Sequence, residues 1–264
     1  MPEASAISTD IAGHDTHRIW IRGMDLTSDV LGKLTFAEMI FLLIGGRIPD
    51  AQERRLVDAI LVSLVEHGLT PSVLASRLTY SGAPESLQGA VAAGLLGVGS
   101  RVLGSMEECG RLLTRIADDV AAGTPRTEAV EAVVDEYRRD HKRLPGIGHA
   151  IHTDGDPRAP RLFAIARECG KHGPFLEALQ ELAAVAEART GRRLPINVTG
   201  AVSAILLELG VPWQLHRGFA LISRSAGLVA HVGEEMTRPI TPALRKLVSD
   251  GTANGTSHPA EPRD

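Results

Sequence analysis

The stretch LPGIGHAIHTDGDPRAPRLF, residues 144–163, places two histidines, three glycines, two aspartates, two arginines and three prolines in twenty positions. Pro145, Gly146 and Gly148 prevent helix before His149. The turn DPR, 156–158, opens the next helix, with Pro157 near its first position and Asp156 able to cap it. An imidazole in a constrained loop and a guanidinium nine residues later, at a helix N-terminus, would together suit a carboxylate ligand. The competing reading is a surface loop capped by Asp156, with His149 incidental. A third reading takes His149, His152, Asp154 and Asp156 as metal ligands, but that spacing matches no zinc pattern with a known mechanism, and no metal site is assigned.

Helices must position these residues. Aromatics are only 3% of the chain, so the core is built from Leu, Val, Ile and Ala, which favours closely packed helices. TFAEMIFLLIGGRIPD reads as a buried helix that Thr35 caps with Glu38 and that Gly45-Gly46 stops. DAQERRLVDAILVSLVEHG is amphipathic and ends at Gly68. SMEECGRLLTRIADDVAAG, RTEAVEAVVDEYRRDHKR, APRLFAIARECGKHG, PFLEALQELAAVAEARTG, NVTGAVSAILLELGVP and QLHRGFALISRSAGLVAHVGEEM all show helical periodicity. SLQGAVAAGLLGVGS is rich in small residues that allow close packing. HRIWIRGMDL alternates briefly and turns at Gly23, a short extended piece. Residues 1–16 read as a flexible terminus and 251–264 as a disordered tail. The fold class is all-α.

Several function classes are excluded. Net charge is −4, without a basic patch carrying interleaved aromatics, so no nucleic-acid partner is expected. Apolar runs fall short of the ~20 residues that cross a membrane, and the N-terminus lacks an apolar signal core. Cys109 and Cys169 make no CxxC pair, and a reducing, cytoplasmic compartment is the default.

PGIGHAIHTDGDPRAPRLF resembles the motif of the citrate synthase family, in which a PG-x-GH loop leads to DPR. In that family the loop histidine polarises the oxaloacetate carbonyl and the arginine binds a carboxylate; these roles fall on His149 and Arg158. NVTGAVSAILLELGVP, 197–212, resembles the family's NVD…LGIP helix. ALISRSAGLVAH, 220–231, resembles the segment with a substrate arginine, which falls on Arg224. In TRP, 237–239, Arg238 falls where an arginine reaches the partner subunit's site, which implies a homodimer. VEHGLTPSVLASRLTYSGA, 65–83, resembles the segment with another substrate histidine, His67. GKLTFAEMIFLLIGGRIP resembles the family's early helix. The likeness covers residues 20–240, and the compact length is most similar to the short citryl-CoA lyase-like branch.

The resemblance implies a large helical domain, 17–105 with 216–250, an inserted small helical domain, 106–215, and a ligand cleft between them. It implies a di- or tricarboxylate substrate of the oxaloacetate or citrate type, an acyl-CoA partner, and no tightly bound cofactor.

The catalytic positions depart from the family. Its enolising aspartate falls on Thr199, and its second histidine on Val102 within VLGSMEE, or on Leu103 if the alignment shifts by one; neither Val102 nor Leu103 has a side chain that donates a hydrogen bond. A neutral hydroxyl cannot serve unaided as that base. Three readings follow: a citryl-CoA lyase or citrate synthase-type enzyme with substitutes drawn from His152, Glu107 or Glu108; a non-catalytic carboxylate-binding or partner-supporting protein; and an enzyme with different chemistry on a related keto or hydroxy acid.

Overall fold

The computed structural model describes residues 8–99, 103–148 and 155–252. They open with an antiparallel three-stranded meander of β1 (Ala12–His14), β2 (Ile19–Ile21) and β3 (Met24–Asp25). Arg22 (φ 50°) and Gly23 (φ 80°) form the two-residue turn between β2 and β3, where both positions need left-handed backbone. The expected flexible terminus, residues 1–16, is therefore too long: pairing with β2 sets Ala12 opposite Ile21 and draws 12–14 into the sheet.

The remaining regular structure is helical. Thr35 accepts from the Glu38 amide, and the Glu38 carboxylate takes the Thr35 amide in return, starting α1 (Phe36–Gly45); Gly46, at φ 74°, ends it. Asp50 and Glu53 start α2 (Ala51–Leu64) in the same way. This helix stops four residues before Gly68, the expected end. Then come α3 (Pro71–Gly82), α4 (Leu87–Leu96), α5 (Ser105–Ala121), α6 (Arg126–Arg139), α7 (Arg158–Glu168), α8 (Pro174–Thr190), α9 (Val198–Glu208), α10 (His216–Thr237) and α11 (Thr241–Gly251).

The chain divides into two compact units, one of residues up to 66 with 98–224, the other of 67–97 with the chain from 225 on. These borders differ from 17–105 with 216–250 against 106–215, the division that the resemblance implies.

In the first unit α9 is the central element, packed against α5, α7 and α8. Its residues from Val198 to Leu206 are all buried, as its apolar composition on every side requires. Two glycines let the chain before His149 approach it. A Cβ on Gly146 (φ 81°) would come within 2.6 Å of Cys109 Sγ, and one on Gly200 within 2.4 Å of the Gly146 carbonyl oxygen.

In the second unit α3 packs on α4. A Cβ on Gly94 would lie 2.7 Å from a Leu228 methyl. Arg77 is wholly buried, its Nε 2.6 Å from Glu235, its Nη1 3.0 Å from Glu234 and its Nη2 2.9 Å from the Arg238 carbonyl oxygen. Glu235 also accepts the amides of Ile240 and Thr241, so it caps α11.

Candidate functional site

His149, His152, Asp154 and Val102 lie outside the described residues. The segment leading to His149 is described, and it is held firmly. Ile147 pairs with Ile196 in an antiparallel bridge. The Gly148 amide donates to the Pro195 carbonyl at 2.7 Å, and the Asn197 amide to the Gly146 carbonyl at 3.0 Å. The Asn197 side chain caps α9 through the Gly200 amide, and its Nδ2 donates to the Gly148 carbonyl at 2.6 Å.

On the far side of the loop, Asp156 is buried at 1% exposure. It takes Nε and Nη2 of Arg158 in a two-pronged grip, both at 2.9 Å, and the backbone amides of Arg158 and Val198 as well. Burial pushes the Asp156 carboxyl up, but these donors together outweigh it and hold the group below its ordinary value. Arg158 Nη1 reaches the Ser63 carbonyl at 3.4 Å. Asp156 thus joins α9 to the start of α7 and fixes the direction of the Arg158 guanidinium.

Arg224, on α10, is 5% exposed. Burial lowers its pKa; Glu66, 3.6 Å away, opposes the shift, and the charge of Arg158 adds to it. Its Nε and Nη1 have no hydrogen-bond acceptor among the described residues. Buried charged groups are normally paired and hydrogen-bonded. A guanidinium near a second guanidinium, with donors unsatisfied, is a seat for an anion.

Of the expected carboxylate ligands, the first unit therefore brings Arg158 and Arg224 into range of each other's charge. His67 and Arg238 belong to the second unit. His67 is exposed in the segment between α2 and α3. The Arg238 side chain is 80% exposed and reaches Glu234, one turn back, at 2.7 Å.

Thr199, 8% exposed, lies in the first turn of α9. Its hydroxyl donates to Asn197 Oδ1 at 2.6 Å and lies 2.9 Å from the Ser105 hydroxyl. The two acids considered as substitutes are engaged elsewhere. Glu107 forms an ion pair with Arg217, and Glu108 lies with Arg111 on the exposed face of α5 at 3.3 Å. Sequence reasoning missed Ser105 and Asn197. The N-cap pattern of Asn197 before an apolar helix was a usable signal; the proximity of Ser105, 94 positions away from Thr199, was not.

Beside Gly148 opens a cavity of about 720 Å³. Its lining includes the apolar Leu144 and Ile147, the aromatic Tyr137, and the cationic Arg138, Lys142, Arg143 and Arg192. Two buried polar groups of the first unit serve structure. His216 is completely buried, and desolvation lowers its pKa to about 4, so it is neutral in the core. The Cys109 thiol is pushed up to about 12 by burial and is inert. No cluster of metal-ligating side chains occurs among the described residues.

Residues 33–243 match the family model described as citrate synthase, C-terminal domain. The chain belongs to the citrate synthase family. Within that family it superimposes on citryl-CoA lyase from Hydrogenobacter thermophilus with a TM-score of 0.85, at 37% identity, over 97% of this chain and 96% of that one. It is 27% identical over 226 residues to a citrate synthase-like protein of a Phoma species, covering 83% of this chain and 47% of that relative. At 19% identity, ATP citrate lyase of Methanosaeta concilii, solved in complex with (3S)-citryl-CoA, shares the fold with a TM-score of 0.75, over 97% of this chain and 43% of that one. The chain spans about half the length of the curated relatives it matches. The family is the one that the 145–163 motif and its flanking segments resemble, and the all-α fold is the one that the helical periodicity indicated.

Proposed function

We propose that this chain is a carbon–carbon lyase of the citryl-CoA type, binding a di- or tricarboxylate together with its acyl-CoA partner. The observation that carries the reading is Arg224: a buried guanidinium with two nitrogens that find no acceptor among the described residues, within range of the charge of an Arg158 already held by Asp156. A ligand carboxylate would supply such acceptors. Near full-length similarity to a citryl-CoA lyase supports the reaction class. The cavity beside Gly148 supports the acyl-CoA, since its cationic side chains suit phosphates and its apolar, aromatic lining suits a nucleotide base.

In cleavage the tertiary hydroxyl of citryl-CoA gives its proton to His149, and the bond between the carbinol carbon and the thioester's α-carbon breaks. The electron pair passes to the thioester as an enolate, and oxaloacetate leaves with a new carbonyl. Water then protonates the enolate to give acetyl-CoA, because Thr199 holds no exchangeable carboxyl proton. Arg158, Arg224, His67 and the partner subunit's copy of Arg238 hold the carboxylates. The same reading takes the protein as a cytoplasmic homodimer; the exposure of Arg238 leaves it available to cross.

A second reading, a carboxylate-binding protein without turnover, is favoured by one observation: the proton of Thr199 is committed to Asn197. One experiment separates the two. The chain is incubated with citryl-CoA and every species is followed by mass spectrometry. Acetyl-CoA and oxaloacetate above the no-protein control, lost in His149→Ala, establish the lyase. Intact citryl-CoA, with citrate binding retained, establishes the binding protein.

A further inference from the structure

The hydrogen bonds around Thr199 have only one consistent direction. Asn197 Oδ1 also accepts the Gly200 amide at 3.1 Å, and its Nδ2 faces the Gly148 carbonyl at 2.6 Å, so the amide cannot be turned over. An amide oxygen only accepts. Thr199 must therefore spend its single proton on Asn197, at 2.6 Å, and can only accept from Ser105, at 2.9 Å. The chain runs one way, from Ser105 through Thr199 and Asn197 to the Gly148 carbonyl, and a neutral side-chain amide ends any proton relay.

We propose that Ser105 is a positioning residue of the ligand site, acting through Thr199 and Asn197 on the backbone of Gly148. Three elements meet in this chain: Ser105 begins α5, Thr199 lies in the first turn of α9, and Gly148 closes the described segment before the loop. The α5 N-terminus has no side-chain cap of its own. The Ser105 hydroxyl instead ties that helix end to α9 and so holds the Gly146–Asn197 ladder from a second side. At the position where the resemblance sets a proton-abstracting carboxylate, this chain has a neutral brace. With its proton locked on Thr199, Ser105 offers any ligand an acceptor and no donor. The consequence for the acyl thioester rests on the proposed carboxylate and acyl-CoA reading; the brace itself does not.

The test compares Ser105→Ala, Thr199→Val, the double variant and Thr199→Ser in the full chain. Hydrogen–deuterium exchange is followed in peptides covering 144–148 and 195–201, with citrate binding measured by calorimetry. Losing one neutral hydrogen bond changes a local equilibrium by about threefold to tenfold. Exchange at the Gly148 and Asn197 amides is expected to rise by that order in Ser105→Ala, while α8 peptides stay unchanged. The double variant should be no worse than Thr199→Val alone, since the two hydroxyls act as one chain, and Thr199→Ser should restore protection. Unchanged exchange in Ser105→Ala, or additive effects in the double variant, overturns the proposal. If Thr199→Val does not fold, Ser105→Ala alone decides the matter. If the unaltered chain binds no citrate, the carboxylate reading fails, while the exchange comparison, which needs no ligand, still decides the brace.

Discussion

Asp156 neutralises Arg158 by accepting two 2.9 Å hydrogen bonds from it, whereas Arg224 donates none from Nε or Nη1 to a described residue. The two arginines thus differ in what holds them: Arg158 is gripped by Asp156, whereas Arg224 has, among the described residues, only the Glu66 carboxylate at 3.6 Å, and under the proposed reading a ligand carboxylate supplies its acceptors.

The contrast can be measured. Replacing a buried, incompletely bonded charge by an apolar side chain of similar volume is often neutral or stabilising. Arg224→Met is therefore expected to keep or raise the melting temperature of the ligand-free chain and to abolish its rise with citrate. Ligand at about a hundred times its dissociation constant stabilises by about 2.7 kcal/mol, which a thermal scan resolves easily. An Arg224→Met variant still stabilised by citrate to the full extent would sink the pocket assignment.

Arg158→Ala should lose the same ligand response and be destabilised as well. It removes both side-chain hydrogen bonds that Arg158 gives the Asp156 carboxylate, which is 1% exposed. Removing one partner of a buried charge pair costs about 3–5 kcal/mol, and the partial exposure of Arg158 places this case at the lower end. Urea unfolding of Arg158→Ala beside Arg158→Ala/Asp156→Asn checks the account, since the double variant should recover part of the loss.

Much of this was legible in the chain. The Thr35–Glu38 capping box, the stop at Gly46 and the turn at Gly23 are local chemistry, and they fold as local chemistry dictates. The family rests on one contiguous motif and several flanking segments. What the sequence could not show is contact between distant positions. Ser105 meets Thr199, Asp156 meets the Val198 amide, and Glu235 caps α11 from within α10. Glu107 looked like a spare acid because nothing local reveals Arg217, 110 positions away. Residues 12–14 looked like a loose end because a three-residue strand has no period of its own.

Gly146→Ala tests the seat of the loop. The new methyl meets Cys109 Sγ at 2.6 Å and Gly200 Cα at 2.8 Å, in a backbone conformation that L-residues rarely adopt. Overpacking alone costs about 1–3 kcal/mol, and the strained φ adds to it. Chemical denaturation should show the loss, and citrate binding should weaken with it, because the segment that leads to His149 is displaced. Gly148→Ala, where nothing among the described residues lies within 4 Å of a new Cβ, should carry the backbone strain without the clash.

Acid should act on the protein in two windows. Desolvation lowers His216 from 6.5 to about 4, so the unfolded chain binds a proton before the folded one, and stability falls as pH drops from 6.5 towards 4. Glu235 moves the other way in origin. Burial raises it, but the Ile240 and Thr241 amides and Arg77 bring it from 4.5 down to about 2. Its stabilisation is complete above pH 4.5 and is lost as pH falls through that range, an effect on the order of 3 kcal/mol. Unfolding free energies at closely spaced pH values should show both slopes. His216→Leu should flatten the upper window, and Glu235→Gln should make the lower one shallower without removing it, because Glu53, brought from 4.5 down to about 2 chiefly by its hydrogen bond from Arg47, titrates there too. A single slope confined below pH 4.5 in the unaltered chain would mean that His216 takes its proton in the folded state.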